Sequence, residues 1–279
     1  MKTKIGNRKM ITFIVMLLLI IAANLTSCAG KTGGLEIIPN TISSMSGINS
    51  FKLDMNLVLT NTASGNTESP IYFNKWQWKS QRQFDLIKKE MQVSMNSGDG
   101  TTINIWDAYL VDGWEYFHTI SPLPQPADSL AWFKTKLSEN NRLFVDEAQI
   151  SPLVDLLKTA TKASLVGLEN VDGTECYVLQ ITPSQESLAN WVISQQQPAG
   201  LDLSELATAS AEYVKGYQNS WIRIWIEKDG FLIKRVDINV FFSIKQSIRD
   251  FQGQMNFSSY NNPISISVPP DATSAPQEH

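Results

Sequence analysis

The sequence is poor in the residues that most often carry chemistry. It holds two histidines and two cysteines in 279 residues. His279 ends a polar tail, and His118 sits beside Phe117 with no Cys, His or carboxylate at metal-ligand spacing. A serine triad would have His118 as its only available base. No GxSxG, phosphate-loop or dinucleotide fingerprint occurs. Asp146-Glu147, and Glu186 with Glu205, read as loop and helix-cap acids rather than a glycosidase pair. The expectation is therefore no catalytic residue, no metal and no cofactor. Cys28 lies in the N-terminal segment, which leaves Cys176 without a partner and excludes a disulfide inside the folded part. In alternation with Val178, Cys176 reads as a buried small hydrophobe. Charged residues make up only 18% of the chain. The apolar run Met10–Ala23 is short for a membrane-spanning helix.

That run has a context of its own. Lys2, Lys4, Arg8 and Lys9 precede it and Leu25-Thr26-Ser27-Cys28 closes it, which is the layout of a secretory signal over residues 1–27. Leu25–Cys28 resembles a bacterial lipobox. The resemblance implies cleavage before Cys28, diacylglyceryl and acyl attachment at Cys28, and a protein held on a membrane at the extracytoplasmic face. Two or three acyl chains anchor stably where one does not. Residues 28–40, with Gly30, Gly33 and Gly34, read as a tether. Four of the 23 basic residues precede Cys28, leaving 19 against 27 acidic residues, a net charge of −8. Such a chain is a poor partner for nucleic acid.

What is abundant is alternation. Phe51, Leu53, Met55, Leu57 and Leu59 share one strand face, with Lys52, Asp54 and Asn56 opposite. Ile71–Trp78 reads as a strand, and Phe84–Ser97 as a weaker strand whose start also fits a helix. Asp-Gly turns follow at Asp112-Gly113 and Asp172-Gly173, with strands on either side, and mark an antiparallel meander. The strongest pattern is Trp221–Phe242, two strands about Asp229-Gly230. A three-residue loop pairs Ile226 with Leu232 and Ile222 with Val236, placing the isoleucines on one face and Trp221, Arg223 and Trp225 on the other. The same loop at Asp172 sets Leu168 against Cys176. Helices are expected at Ile42–Gly47, after Asp128 (with Leu130, Phe133 and Leu137), after Ser151-Pro152, and as a pair over Ser184–Gly216. Gln246–Tyr260 is a further strand, Ile264–Val268 a final edge strand, and residues 271–279 a disordered tail.

Eight tryptophans remain to be placed. They serve either as core filling or as part of a cavity wall, and the mixed aromatic and charged face of Trp221 and Trp225 suits a cavity mouth. The candidate lining is Trp221, Trp225, Trp191, Leu188, Trp76 and Trp78.

The closing segments Trp221–Lys234 and Phe257-Ser-Ser-Tyr-Asn-Asn-Pro-Ile-Ser-Ile-Ser-Val-Pro269 resemble the ends of LolA-type and LppX/LprG-type envelope lipoproteins. The resemblance implies an α+β fold: one strongly curved antiparallel half-barrel over residues 41–270, helices on its concave face, and the Trp221–Phe242 hairpin as its central wall. It implies binding of acyl chains of lipids or lipoproteins, as a carrier, acceptor or presenter. The alternative is a sensor or scaffold of the same fold that binds another envelope protein.

Overall fold

A computed structural model describes residues 34–63, 75–99, 103–120, 132–136, 151–184, 186–188, 220–244 and 247–277. Cys28, Trp191, the Asp128 cap and most of the Ser184–Gly216 helix pair lie outside the described residues.

Helix α1 (Gly34–Ser46) leads into strand β1 (Ser50–Ala63). A first meander continues through β2 (Lys75–Asp85), β3 (Glu90–Gly98), β4 (Ile103–Val111), β5 (Trp114–Ile120) and β6 (Phe133–Lys136). Helix α2 (Ser151–Lys158) opens a second: β7 (Lys162–Val171), β8 (Thr174–Thr182), β9 (Trp221–Glu227), β10 (Ile233–Ile244) and β11 (Ser247–Ser258). The two meanders join by antiparallel pairing of β1 with β11, giving one open sheet of 11 strands, β6-β5-β4-β3-β2-β1-β11-β10-β9-β8-β7. A flat sheet of that size would be about 50 Å wide. Twisted open sheets this large curl, and this one packs α1 and α2 on one face. We call that face inner. The expected α+β half-barrel is therefore present, with β1 and β11 at its centre. The hairpin β9–β10 lies in the C-terminal half and is not the central wall.

Alternation governs the sheet. Phe51, Leu53, Met55, Leu57 and Leu59 are at most 5% exposed and point inward. On β11, Gly253 stands inward opposite Leu57. Leu57 fills the space a side chain would take: a Cβ on Gly253 would lie 2.2 Å from Leu57 Cδ2 and 2.9 Å from the carbonyl oxygen of Asn56.

Several local expectations are corrected. At Asp112-Gly113 and Asp172-Gly173 both residues have positive φ, and Val111 pairs with Trp114 and Val171 with Thr174. These are two-residue primed turns, which match the strand twist better than the three-residue loop. Leu168 consequently opposes Tyr177, and Cys176 opposes Glu169. The β9–β10 loop is longer than expected. Glu227 N–H donates to Leu232 O, and Phe231, not Gly230, takes the left-handed conformation at φ 56°. Ile222 pairs with Ile238 and Ile224 with Val236, two residues from the predicted register. That even shift keeps Ile222, Ile224, Val236 and Ile238 on one face, while a bulge between Ile233 and Arg235 brings Ile233, expected on the tryptophan face, inward opposite Ile226.

Phe133–Lys136 is a strand, where the sequence reads as helix. Phe133 stacks on Phe117 of β5 at 5.5 Å, a cross-strand contact that outweighs local helical spacing. Helix α1 is described from Gly34, inside the expected tether, and Gly34 packs closely against the backbone of Ala163. Residues 264–268 form no strand, although Ile264 and Ile266 are buried. The tail beyond is ordered through Gln277: α3 (Pro270–Thr273) docks at β5 and β6, and Lys134 N–H donates to Pro276 O.

Candidate functional site

The inner face has two unlike halves. On β8–β10 it is aliphatic and closed: Leu179, Ile181, Ile222, Ile224, Val236 and Ile238 are at most 2% exposed. They share one cluster with Leu153, Leu156 and Leu157 of α2 and with Ile37 and Met45 of α1. Most of these strand residues are β-branched, with few rotamers, and they form a conventional rigid core.

On β2–β5 the same face changes character. Met91 and Met95 of β3 and Met55 of β1 are buried in the same inner cluster, and Trp78, Trp106 and Phe117 pack against that cluster only half-buried. Methionine adapts to irregular apolar shapes at low cost. Polar groups occupy inward positions in this half. Ser80 and Arg82 of β2 are 4% and 6% exposed, and Glu115 of β5 is 3% exposed. Arg82 opposes Leu53 and Val93, and its Nε–H donates to Ser80 Oγ at 3.2 Å. Burial lowers the Arg82 pKa to about 10, which leaves it charged at neutral pH. Burial raises the Glu115 carboxyl to about 7. Glu115 Oε1 and Trp106 Nε1 have no hydrogen-bond partner among the described residues.

The predicted lining residues are divided between the two faces. Trp78 faces inward against Phe251 at 6.4 Å, with Trp76 beside it at 6.4 Å. Leu188 is buried in the inner cluster, one turn after Ser184, whose Oγ caps the Ser187 N–H. Trp221 and Trp225 are on the outer face. Trp225 is 4% exposed over Cys176 and Val178. Its indole N–H donates to Glu169 Oε2 at 2.8 Å, and the Arg235 guanidinium lies 4.5 Å from the ring centroid. Arg235 in turn holds Asp237 through two bonds of 2.7 and 2.6 Å. Arg223 sits 5.0 Å over Trp221. These are cation–π stacks on a strand surface. Trp221 and Trp225 thus lie on the opposite face of the sheet from Trp76 and Trp78.

The outer face also carries a shallow depression of about 390 Å³, bounded by Asp54, Asn56, Lys79, Gln81, Asn96 and Asn256. Its walls mix polar and apolar surface in nearly equal parts, with Met55, Ser80 and Ser94 also lining it. Among the described residues no group of three or more His, Cys, Asp or Glu could hold a metal, and no helix is long and apolar enough to cross a membrane.

Arg82 and Glu115 were missed in the sequence although a signal existed. Trp76, Trp78, Ser80, Arg82 and Phe84 fall in one alternating phase. The expected strand ends at Trp78 and the next begins at Phe84, so the boundary removes Arg82 from view. Glu115 is likewise in phase with Phe117.

No family model matches the sequence, and no curated protein does. Solved structures similar to the chain include LprF from Mycobacterium bovis, at 14% identity and a TM-score of 0.44 over 85% of this chain and 97% of that one. The Mycobacterium tuberculosis lipoprotein LppX is similar at 13% identity and TM-score 0.44, over 85% and 99%. MucB, solved in complex with MucA(peri), is similar at 13% identity and TM-score 0.30, over 85% of this chain and 60% of its own.

Proposed function

We propose that the protein is a lipid-anchored envelope lipoprotein, held at the extracytoplasmic face through Cys28, that takes acyl chains of a lipid or lipoprotein against the inner face of β2–β5. The observation that carries the reading is the asymmetry of the inner face. One half is stiff, aliphatic and closed by α1 and α2. The other is methionine-rich and edged by half-buried Trp78, Trp106 and Phe117. A surface that only fills a core has no need of that difference, while a surface that accepts chains of variable shape does. Each methylene removed from water contributes about 0.8 kcal/mol, so a long chain supplies ample affinity without catalytic or metal chemistry. Trp78, Trp76 and Leu188 remain candidate lining residues, and Trp221 and Trp225 are assigned to the outer surface.

Solvent extraction of the purified chain followed by lipid mass spectrometry tests the reading. Bound lipid is expected at about one equivalent, beyond the chains attached at Cys28. Protein that yields none, and that binds no added long-chain amphiphile, refutes it.

A second reading, an interaction module for another envelope protein, is favoured by the sheet edge. Strand β7 ends the sheet and exposes Val166 and Leu168 by 53% and 51%. Such an edge suits addition of a partner strand. Charged substitution of both residues that abolished complex formation but spared lipid binding would support it.

A further inference from the structure

We propose that Arg82 is the anchoring group for a bound amphiphile, pairing with the carboxylate or phosphate at the head of the chain. The assignment rests on the acyl-chain reading above and narrows it to anionic ligands.

Arg82 occupies an inward position at 6% exposure, where its cross-strand neighbours are Leu53 and Val93 and its neighbours along β2 are Ser80 and Phe84. A charge placed there is costly unless something pairs with it. The ion pairs among the described residues do not involve it. Its hydrogen bond there runs from Nε to Ser80 Oγ, leaving both Nη groups without an acceptor among the described residues. Glu115 does not serve: it is three strands away and two residues further along, roughly 16 Å between Cα positions from strand geometry. The guanidinium fork fits a carboxylate or phosphate through two parallel N–H···O bonds. The Ser80 hydroxyl, which accepts from Nε, keeps its proton to donate to the same anion. Met55, Met91 and Met95 then surround the first part of the chain. Fixing the head at Arg82 sets the depth to which a chain enters.

The test uses the full chain, freed of lipid in detergent, with a fluorescent long-chain fatty acid and its methyl ester as probes. The acid is expected to bind at least about tenfold more tightly than the ester. Arg82→Met should erase that preference while ester affinity stays within about twofold, and Arg82→Lys should keep part of it. If Arg82→Met does not fold, Arg82→Gln carries the same comparison. Equal binding of acid and ester by the wild-type chain, or a preference that survives Arg82→Met, overturns the assignment and leaves the acyl-chain reading standing. Binding of neither probe removes both. Inorganic phosphate supplies the remaining arm. Tight binding of phosphate alone, lost in Arg82→Met, would make Arg82 a free-anion site and overturn the proposal.

Discussion

Replacing Glu115 with Gln should flatten the acid side of the stability profile. Glu115 is 3% exposed on the inner face of β5, between Leu110 of β4 and Thr135 of β6. Its carboxyl is raised by burial from 4.5 to about 7. The folded chain thus keeps a proton that the unfolded chain has already released. Folding is favoured most below pH 4.5, loses stability as the pH rises from 4.5 towards 7, and changes no further above that. At about 1.4 kcal/mol per pH unit, the window corresponds to at most about 3.5 kcal/mol. Glutamine keeps the volume and removes the titration, but brings an amide that is also short of partners, at a cost of about 1 kcal/mol. Glu115→Gln should therefore be more stable than wild type by about 1–2 kcal/mol above neutral pH and no more stable in acid. Urea unfolding across the window, read as the difference between the two proteins, cancels the other titrating groups. A difference that does not vary with pH would rule out a raised Glu115 carboxyl, as would a wild type that gains stability relative to the variant as the pH rises.

Other outcomes follow from the same geometry. Gly253→Ala should destabilise by about 1–3 kcal/mol in denaturant titrations, since its Cβ would meet Leu57 Cδ2 at 2.2 Å and backbone oxygen at 2.9 Å. Trp225→Phe removes the hydrogen bond to Glu169 and weakens the stack with Arg235, so it should cost about 1–2 kcal/mol in the same titration yet leave lipid extraction unchanged. Gly173→Ala, at φ 82°, should cost about 1 kcal/mol with no effect on ligand, measurable by thermal unfolding. Cys28→Ser should move the protein from membrane to soluble fractions, and the N-terminal peptide should lose its diacylglyceryl mass.

Strand existence and face were readable in the sequence because burial on one side of a sheet imposes a period of two, which β1 and β9 keep throughout and β10 keeps from Val236 on, after the bulge that turns Ile233 inward. Register was not readable. The loop after β9 needs positive φ at Phe231, which nothing in Lys228-Asp229-Gly230 announces, and the two Asp-Gly turns use one residue fewer than expected. The short strand β6 depends on Phe117, distant in sequence, so local spacing misled. The site was half legible. Tryptophan drew attention to a face where cation–π stacks and one hydrogen bond satisfy it. The inward Arg82 and Glu115, polar residues in an apolar phase, were obscured by a strand boundary set too early. A single charged residue breaking an alternation reads as a strand end, and here it is the feature that distinguishes the two halves of the inner face.

The central question is where a bound chain lies on the sheet. A fatty acid carrying a diazirine along its chain, cross-linked to the full-length protein and mapped by peptide mass spectrometry, reports this directly. Adducts should fall on β2–β5 and β1 at inward residues such as Met55, Met91, Met95 and Phe117. Adducts confined to outward residues such as Asn96 or Trp221, or to the closed aliphatic half at Ile222 and Ile238, would contradict it.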